Sequence, residues 1–238
     1  MSRIGVLGGM GPSATVDFMD KLVQLTPAAR DQEHLPVIVA SLPQVHDRSS
    51  AILGQGRDPL PQLLAGIRLL NDIPVGVIAI PCNSSHHWYD EMSRASTVPI
   101  LHIARCCVEA IPNEAREGVA IFATRGALAS GFYQRELARR EIAYVLPEAS
   151  DSQHHVDNCI HAIKAGDFAA GAQHLERACR EAAQHGARTA IMGCTEIPIA
   201  ARQADVHGLT LIDSSLELAR ASVAFALQRG WNRPKWDS

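Results

Sequence analysis

The chain has 238 residues, of which 47% are hydrophobic and 20% are charged, and its formal net charge is −3 at pH 7. These are the proportions of an ordinary globular protein, which argues against disorder, and the scattered basic residues argue against a nucleic-acid partner. The longest apolar stretch, residues 73–82, is about half of the ~20 residues that a membrane-spanning helix needs, so we expect no membrane partner.

Short runs rich in Val and Ile predict buried strands, and most of them are separated by segments with helical signals. The Asp58-Pro59 pair begins a helix that runs through Leu70, and Asp167 caps an Ala-rich helix that stops at Gly186. This alternation indicates an α/β fold in which helices cover both faces of parallel sheets. The predicted strands are Ile4–Gly8, Val37–Leu42, Val75–Ile80, Val119–Thr124, Ile142–Leu146, Thr189–Gly193 and Leu209–Asp213.

The chain also repeats itself at an offset of 112 to 116 residues. A repeat of this length indicates a duplicated domain, not a solenoid unit. The alternative is coincidence, since any α/β chain offers many strands to align. The matched pairs are the strands at Ile4 and Val119, the thiols of Cys82 and Cys194, and the cations Arg48 and Lys164.

We expect two lobes from this duplication. Residues 1–98 plus 210–238 form an N-terminal lobe that carries Cys82, and residues 99–209 form a C-terminal lobe that carries Cys194. In this division the last strand and helix, from Leu209 onward, return to pack on the first lobe.

Cys82 and Cys194 each lie just beyond a predicted strand. Ligands of open parallel sheets bind at the carboxyl ends of the strands, so both thiols are directed toward candidate sites. One base that removes an α-proton and a second that protonates the opposite face are what stereoinversion requires. Taken singly, each cysteine is more typical of a small buried hydrophobe. Glu196 is a candidate for orienting Cys194 or a substrate ammonium, or is simply a charge at a helix start.

The remaining features of the chain bear on location and on metals. Four glycines between residues 5 and 11 interrupt the N-terminal apolar run, so it lacks the h-region of a signal peptide, and we expect a cytoplasmic protein. None of the six cysteines forms a Cys-x-x-Cys pair, so we expect free thiols and no metal site.

Several motifs resemble those of the PLP-independent aspartate/glutamate racemase family, and the closest similarity is to its aspartate racemases. The resemblance runs from about Ile4 to Asp213. It rests above all on two cysteine motifs, which occur along this chain in the same order as in that family. The motifs are residues 4–12 (IGVLGGMGP), 30–34 (RDQEH), 43–48 (PQVHDR), 81–86 (PCNSSH) and 193–197 (GCTEI).

Membership of this family implies two pseudo-symmetric flavodoxin-like lobes with parallel sheets, an active site between them and a homodimer. It implies racemisation of a small acidic amino acid, aspartate, without a cofactor. Cys82 and Cys194 become the acid/base pair, and Arg48 and Lys164 hold the substrate carboxylates. The other residues implied to line the pocket are Met10, Gly11, Gln44, Asn83, Ser84, Thr124 and Thr195.

The sequence departs from many aspartate racemases at a few positions. Ser84-Ser85 replaces a Thr-Ala pair, and Arg125 and Ala127 replace two threonines, so a charge is gained and a hydroxyl is lost. These changes bear on recognition of the substrate side chain and leave glutamate or a broader range of amino acids open.

Three other classes of function remain. A lyase or isomerase on the same scaffold would keep the thiols, whereas a non-catalytic binding protein would have no use for them. A dinucleotide-binding enzyme is suggested by the Gly-x-Gly-x-x-Ala pattern of residues 9–14, but the second strand ends in Ser41-Leu42-Pro43 and offers no acidic residue for a ribose.

Overall fold

The computed structural model describes residues 2–116, 118–146 and 152–233. It contains two parallel sheets covered by helices, which confirms the predicted α/β fold. In the first sheet the strand order is β2-β1-β3, and in the second it is β5-β4-β6-β7. The strands are β1 (Arg3–Gly8), β2 (Val37–Ser41), β3 (Val75–Ala79), β4 (Val119–Ala123), β5 (Tyr144–Val145), β6 (Thr189–Gly193) and β7 (Thr210–Asp213).

The predicted strands all form, and the central ones are buried on both faces. Every residue of β4 and of β6 is buried, which explains their unbroken apolar sequences, because helices cover both sides of a parallel sheet. In β4, Phe122 packs into the core on one face and Ile121 into the core on the other. The fifth strand is shorter than predicted and comprises two residues.

The predicted cap at Asp167 is confirmed, whereas the helix predicted from Asp58-Pro59 begins one residue later, at Leu60, with Pro59 as its N-cap. The Asp58 carboxylate accepts a hydrogen bond from the backbone N–H of Leu60, and that of Asp167 from Ala170. No helix among the described residues is long and apolar enough to cross a bilayer. The helices are α1 (Pro12–Leu25), α2 (Arg48–Ile52), α3 (Leu60–Asn71), α4 (Tyr89–Ala95), α5 (Ile103–Glu109), α6 (Arg125–Ser130), α7 (Phe132–Ala138), α8 (Ser152–Lys164), α9 (Phe168–Gln184), α10 (Ile197–Ala201) and α11 (Ser214–Leu227).

The last strand does not return to the first lobe as expected. β7 pairs in parallel with β6 in the second sheet, with Thr210 opposite Thr189 and Asp213 opposite Met192. Only α11 crosses over, and it packs mainly on α1 and α5. The assignment of residues 210–213 to the first lobe is therefore wrong, because the edge of β6 offers this strand a full ladder of backbone partners. Residues 234–238 of the same predicted segment lie outside the described residues.

Helices α2 and α6 bring the two lobes into direct contact. The backbone N–H of Gly126 donates to the Ser49 hydroxyl at 3.0 Å. A Cβ atom on Gly126 would lie 2.6 Å from the Ser49 Cα, so this approach requires glycine. The contact fixes the separation of the lobes next to the carboxyl ends of their strands.

A cluster of ionised side chains ties α1 to the start of α11. The Lys21 ammonium lies 2.6 Å from the carboxylates of both Asp17 and Asp213, and Arg202 also pairs with Asp17. Asp213 in turn caps α11 by accepting hydrogen bonds from two of its backbone N–H groups. All three members of the Lys21 group are largely buried, so each charge depends on its partners.

We expect Lys21→Met to lower the free energy of unfolding by about 3–5 kcal/mol, because it leaves two carboxylates buried without their shared cation. Urea unfolding measures this as a lower midpoint at constant slope. Arg30→Met is the matched control, since Arg30 pairs with Glu33 at the exposed surface. An unchanged midpoint in the Lys21 variant would show that the cluster does not stabilise the fold.

Candidate active site

A small cleft lies between the two lobes at the carboxyl ends of their strands. Both lobes contribute charged and polar side chains to its wall. The lining residues are Met10, Asp47, Arg48, Ser49, Cys82, Asn83, Ser84, Thr124, Lys164, Cys194, Thr195 and Glu196.

The two thiols reach this cleft from equivalent places in the two sheets. Cys82 follows β3 by three residues, and Cys194 directly follows β6. They are 5% and 7% exposed, so each is nearly enclosed by protein. Both thiols therefore line one cleft.

Cys194 is held as a neutral thiol. Its S–H donates to the Glu196 carboxylate at 3.0 Å. Burial raises the pKa of Cys194 well above its usual value, and the Glu196 charge raises it further, whereas Lys164 acts in the opposite direction. Since the Thr195 hydroxyl also donates to Glu196, at 3.4 Å, this carboxylate organises the loop after β6.

Arg48 is fixed at the start of α2 by main-chain oxygens. Its terminal nitrogens donate to the carbonyl groups of Val45, His46 and Met10 at 3.0–3.2 Å. Its Nε–H is buried and has no hydrogen-bond partner among the described residues. Burial alone would lower the pKa of Arg48, but the nearby Cys82 sulfur raises it above its usual value. The guanidinium is therefore a permanent cation beside Cys82.

Lys164, the last residue of α8, supplies a second cation. Burial opposes its charge, but Glu196 and Cys194 outweigh burial and raise the pKa of Lys164 above its usual value. Asp47, the cap of α2, accepts a hydrogen bond from the Ser50 N–H. Burial would raise the pKa of Asp47, but this bond and the neighbouring Arg48 lower it. The cleft thus contains two cations and two carboxylates.

His86 is a structural residue. The backbone N–H of Ile103 donates to its Nε2 at 3.2 Å, so Nδ1 carries the proton and donates to the Cys82 carbonyl at 3.0 Å. Burial lowers the pKa of His86 to about 4, which keeps the ring neutral. The ring thus holds the backbone of Cys82.

Gly9, which directly follows β1, allows two backbone segments to pack closely. A Cβ atom on Gly9 would lie 2.2 Å from the Leu42 nitrogen, and the Gly9 N–H already donates to the Thr15 hydroxyl. The close approach of this loop to the residues that follow β2 therefore accounts for the glycine at position 9.

Two of the residues expected to line the cleft lie outside its wall. Gln44 is exposed, and its carbonyl accepts a hydrogen bond from Gln62. Gly11 is adjacent to the wall, since a Cβ there would lie 3.4 Å from the Glu196 carboxylate. The structure brings the other nine together: Met10, Arg48, Cys82, Asn83, Ser84, Thr124, Lys164, Cys194 and Thr195.

Asp47 and Ser49 line the cleft but were missed in the sequence. The only signal for them is their position on either side of Arg48. Arg125, which we expected to influence carboxylate recognition, points instead to Asp157, with which it pairs at 2.6 Å outside the cleft wall.

Comparisons with known proteins agree with this architecture. The chain is 28% identical over 226 residues to the broad specificity amino-acid racemase RacX of Bacillus subtilis, covering 93% of this chain and 96% of that protein. It matches the structure of Picrophilus torridus aspartate racemase with a TM-score of 0.84 and 26% identity, covering 95% and 94% of the two chains. A glutamate racemase from Francisella tularensis, in complex with D-glutamate, shares the fold with a TM-score of 0.69 at 18% identity, covering 97% of this chain and 82% of that one.

The family comparison extends over most of the sequence. Residues 7–221 match the family described as Asp/Glu/Hydantoin racemase. The match includes every residue that lines the cleft and all strands except the first four residues of β1. The chain therefore belongs to the Asp/Glu/Hydantoin racemase family.

Proposed function

We propose that this protein interconverts L- and D-aspartate without a cofactor, with Cys82 and Cys194 as the two proton-transfer groups. The main observation behind the proposal is that both thiols line one cleft, together with two cations. Membership of a racemase family supports the reaction class.

The reaction requires one thiolate and one thiol. The thiolate sulfur takes the α-proton, the C–H electron pair stays on the α-carbon, and the opposite thiol gives its proton to the other face. Cys194, which is a thiol in the unliganded protein, is the donor in the first turnover, and Cys82 is the base. The roles reverse for the other enantiomer.

A thiolate is a weak base toward an α-carbon, so the site must stabilise the developing carbanion. Arg48 and Lys164 provide positive charge where the substrate carboxylates lie, and the near-complete burial of both thiols limits their contact with bulk water. In such an environment electrostatic interactions are stronger than in bulk water.

Because the Asp47 carboxylate is engaged in capping α2, the remaining charges in the cleft match those of aspartate. Its two carboxylates correspond to the two cations, and its ammonium corresponds to Glu196. The planar guanidinium of Arg48, with a free Nε–H, suits a carboxylate. Glutamate differs by one methylene, worth only about 1–3 kcal/mol in a pocket, so we regard it as the second candidate substrate. It is supported by the fold shared with a glutamate racemase.

The first test is incubation of the purified protein in D₂O, without PLP, with each enantiomer of aspartate and of glutamate. We expect aspartate to racemise with one deuterium at the α-carbon of the product, followed by NMR and chiral chromatography. Cys82→Ser and Cys194→Ser should each reduce racemisation by roughly 10²- to 10⁴-fold, the contribution of a positioned acid or base.

Cys106→Ser is the matched control, because this thiol lies on α5 outside the cleft, and it should retain wild-type activity. Full activity of either cleft variant would contradict the two-thiol mechanism. Formation of an unsaturated product in place of the opposite enantiomer would indicate a lyase.

The pH dependence tests the role of Glu196. Because the active enzyme has one thiolate and one thiol, kcat/KM should be bell-shaped, and we assign its alkaline limb to Cys194, whose pKa is raised by burial and by Glu196. Glu196→Gln removes one of the two causes that raise this pKa. The alkaline limb should therefore move to lower pH.

Glu33→Gln, at an exposed carboxylate on the surface, should leave the profile unchanged. The two enantiomers have equal free energies, so kcat/KM must be the same in both directions at every pH, which provides an internal check. An alkaline limb at the wild-type position in the Glu196 variant would refute the assignment.

Lys164 is expected to bind a substrate carboxylate. Lys164→Met should lower kcat/KM for aspartate roughly 10- to 100-fold, the range for loss of a charged hydrogen bond, whereas Lys164→Arg, which keeps the charge, should lose less. Steady-state kinetics with both enantiomers measure this. Activity of the methionine variant within twofold of wild type would exclude Lys164 from substrate binding.

A further inference from the structure

Tyr133 connects the two cysteine loops through one buried side chain. Its phenol, on α7, is fully buried. The hydroxyl donates to the Asn83 side-chain oxygen at 2.6 Å, and Asn83 directly follows Cys82 in the chain. Tyr133 thus binds the loop of the first thiol through its hydroxyl.

The same side chain also contacts the strand that leads to the second thiol. A Cβ atom on Gly193 would lie 3.0 Å from the Tyr133 Cε2 atom, so the ring packs directly against this backbone. Gly193 is the residue before Cys194. The hydroxyl and the adjacent ring edge of one rigid side chain therefore touch the neighbours of both thiols.

A second set of hydrogen bonds connects Asn83 to the strand that leads to Cys194. The Asn83 amide nitrogen donates to the Ser214 hydroxyl at 3.1 Å, and that hydroxyl donates to the Met192 carbonyl at 2.7 Å. Asn83 is 3% exposed and Ser214 is fully buried. Because water cannot reach these groups, the bonds have no ready substitute, and their directions define the position of Asn83.

We propose that Tyr133 is a positioning residue that sets the separation of the two thiols, and that Ser214 assists it through Asn83. This inference rests on the proposed two-thiol racemase. Reacting atoms must lie about 3–3.5 Å apart, so two opposed proton transfers tolerate little change in separation, and a displacement of ~1 Å can cost about 10²-fold in rate.

A displaced thiol has a specific chemical consequence. The thiolate still takes the α-proton, which forms the carbanion and a neutral thiol on the same face. If the opposite S–H is out of reach, the first thiol returns a hydrogen to the original face. When that thiol has exchanged its proton with D₂O, the recovered substrate carries deuterium but keeps its configuration.

Tyr133→Phe keeps the ring against Gly193 and removes only the hydroxyl. In D₂O we expect kcat to fall roughly 10- to 100-fold with KM little changed. Deuterium in the recovered substrate should rise several-fold relative to deuterium in the inverted product. Thermal unfolding verifies that the variant is folded. A loss of folded protein alone would lower the rate without changing this ratio.

Tyr89→Phe is the matched control. It also removes a tyrosine hydroxyl that donates to a carbonyl, that of Ile100, but Tyr89 lies outside the cleft wall. Its kcat and its deuterium ratio should match those of wild type.

Ser214→Ala is the second variant and should raise the same deuterium ratio. Wild-type rate and wild-type ratio in folded Tyr133→Phe would overturn the positioning role alone, whereas the absence of racemisation by wild type would overturn the proposed function and this inference with it.

Discussion

The structure of the site depends on the balance of charge within one cleft between the two lobes. Two cations, Arg48 and Lys164, face the carboxylates of Asp47 and Glu196 there. Burial opposes the charge of both cations, yet both have a raised pKa because of the anions and thiols around them. Removing a charge from water is costly unless a partner lies close by. The cleft is therefore prepared for a ligand that itself carries both signs of charge.

The placement of the thiols follows from the fold and could be predicted from the sequence. Cys82 and Cys194 come after buried apolar runs, and the carboxyl ends of parallel strands are where ligands bind. Arg48 and Lys164 fit the repeat only loosely, because the first begins α2 and the second ends α8. Their meeting in one cleft depends on the way the lobes are docked.

The features that the sequence did not reveal all depend on contacts between distant elements. Ser49 lines the cleft because α2 lies against α6, an approach that only the missing side chain of Gly126 allows. β7 joins the second sheet because β6 has an open edge, although the following helix packs mainly on α1 and α5. Arg125 lies near the cleft in sequence but pairs with Asp157 outside its wall. None of these contacts produces a local sequence pattern of hydrophobic or capping residues.

The link between the lobes near the thiols is polar, and this has a physical reason. Apolar packing resists separation but tolerates sliding, whereas a buried hydrogen bond loses its energy when its angle or length changes. The bonds from Tyr133 to Asn83 and from Asn83 to Ser214 join the loop after β3 to the second lobe, next to both thiols. The small residue Gly193 lets the tyrosine ring approach the strand closely enough to form this link. The same two lobes joined by apolar side chains alone would be as compact, but would hold the two thiols less accurately.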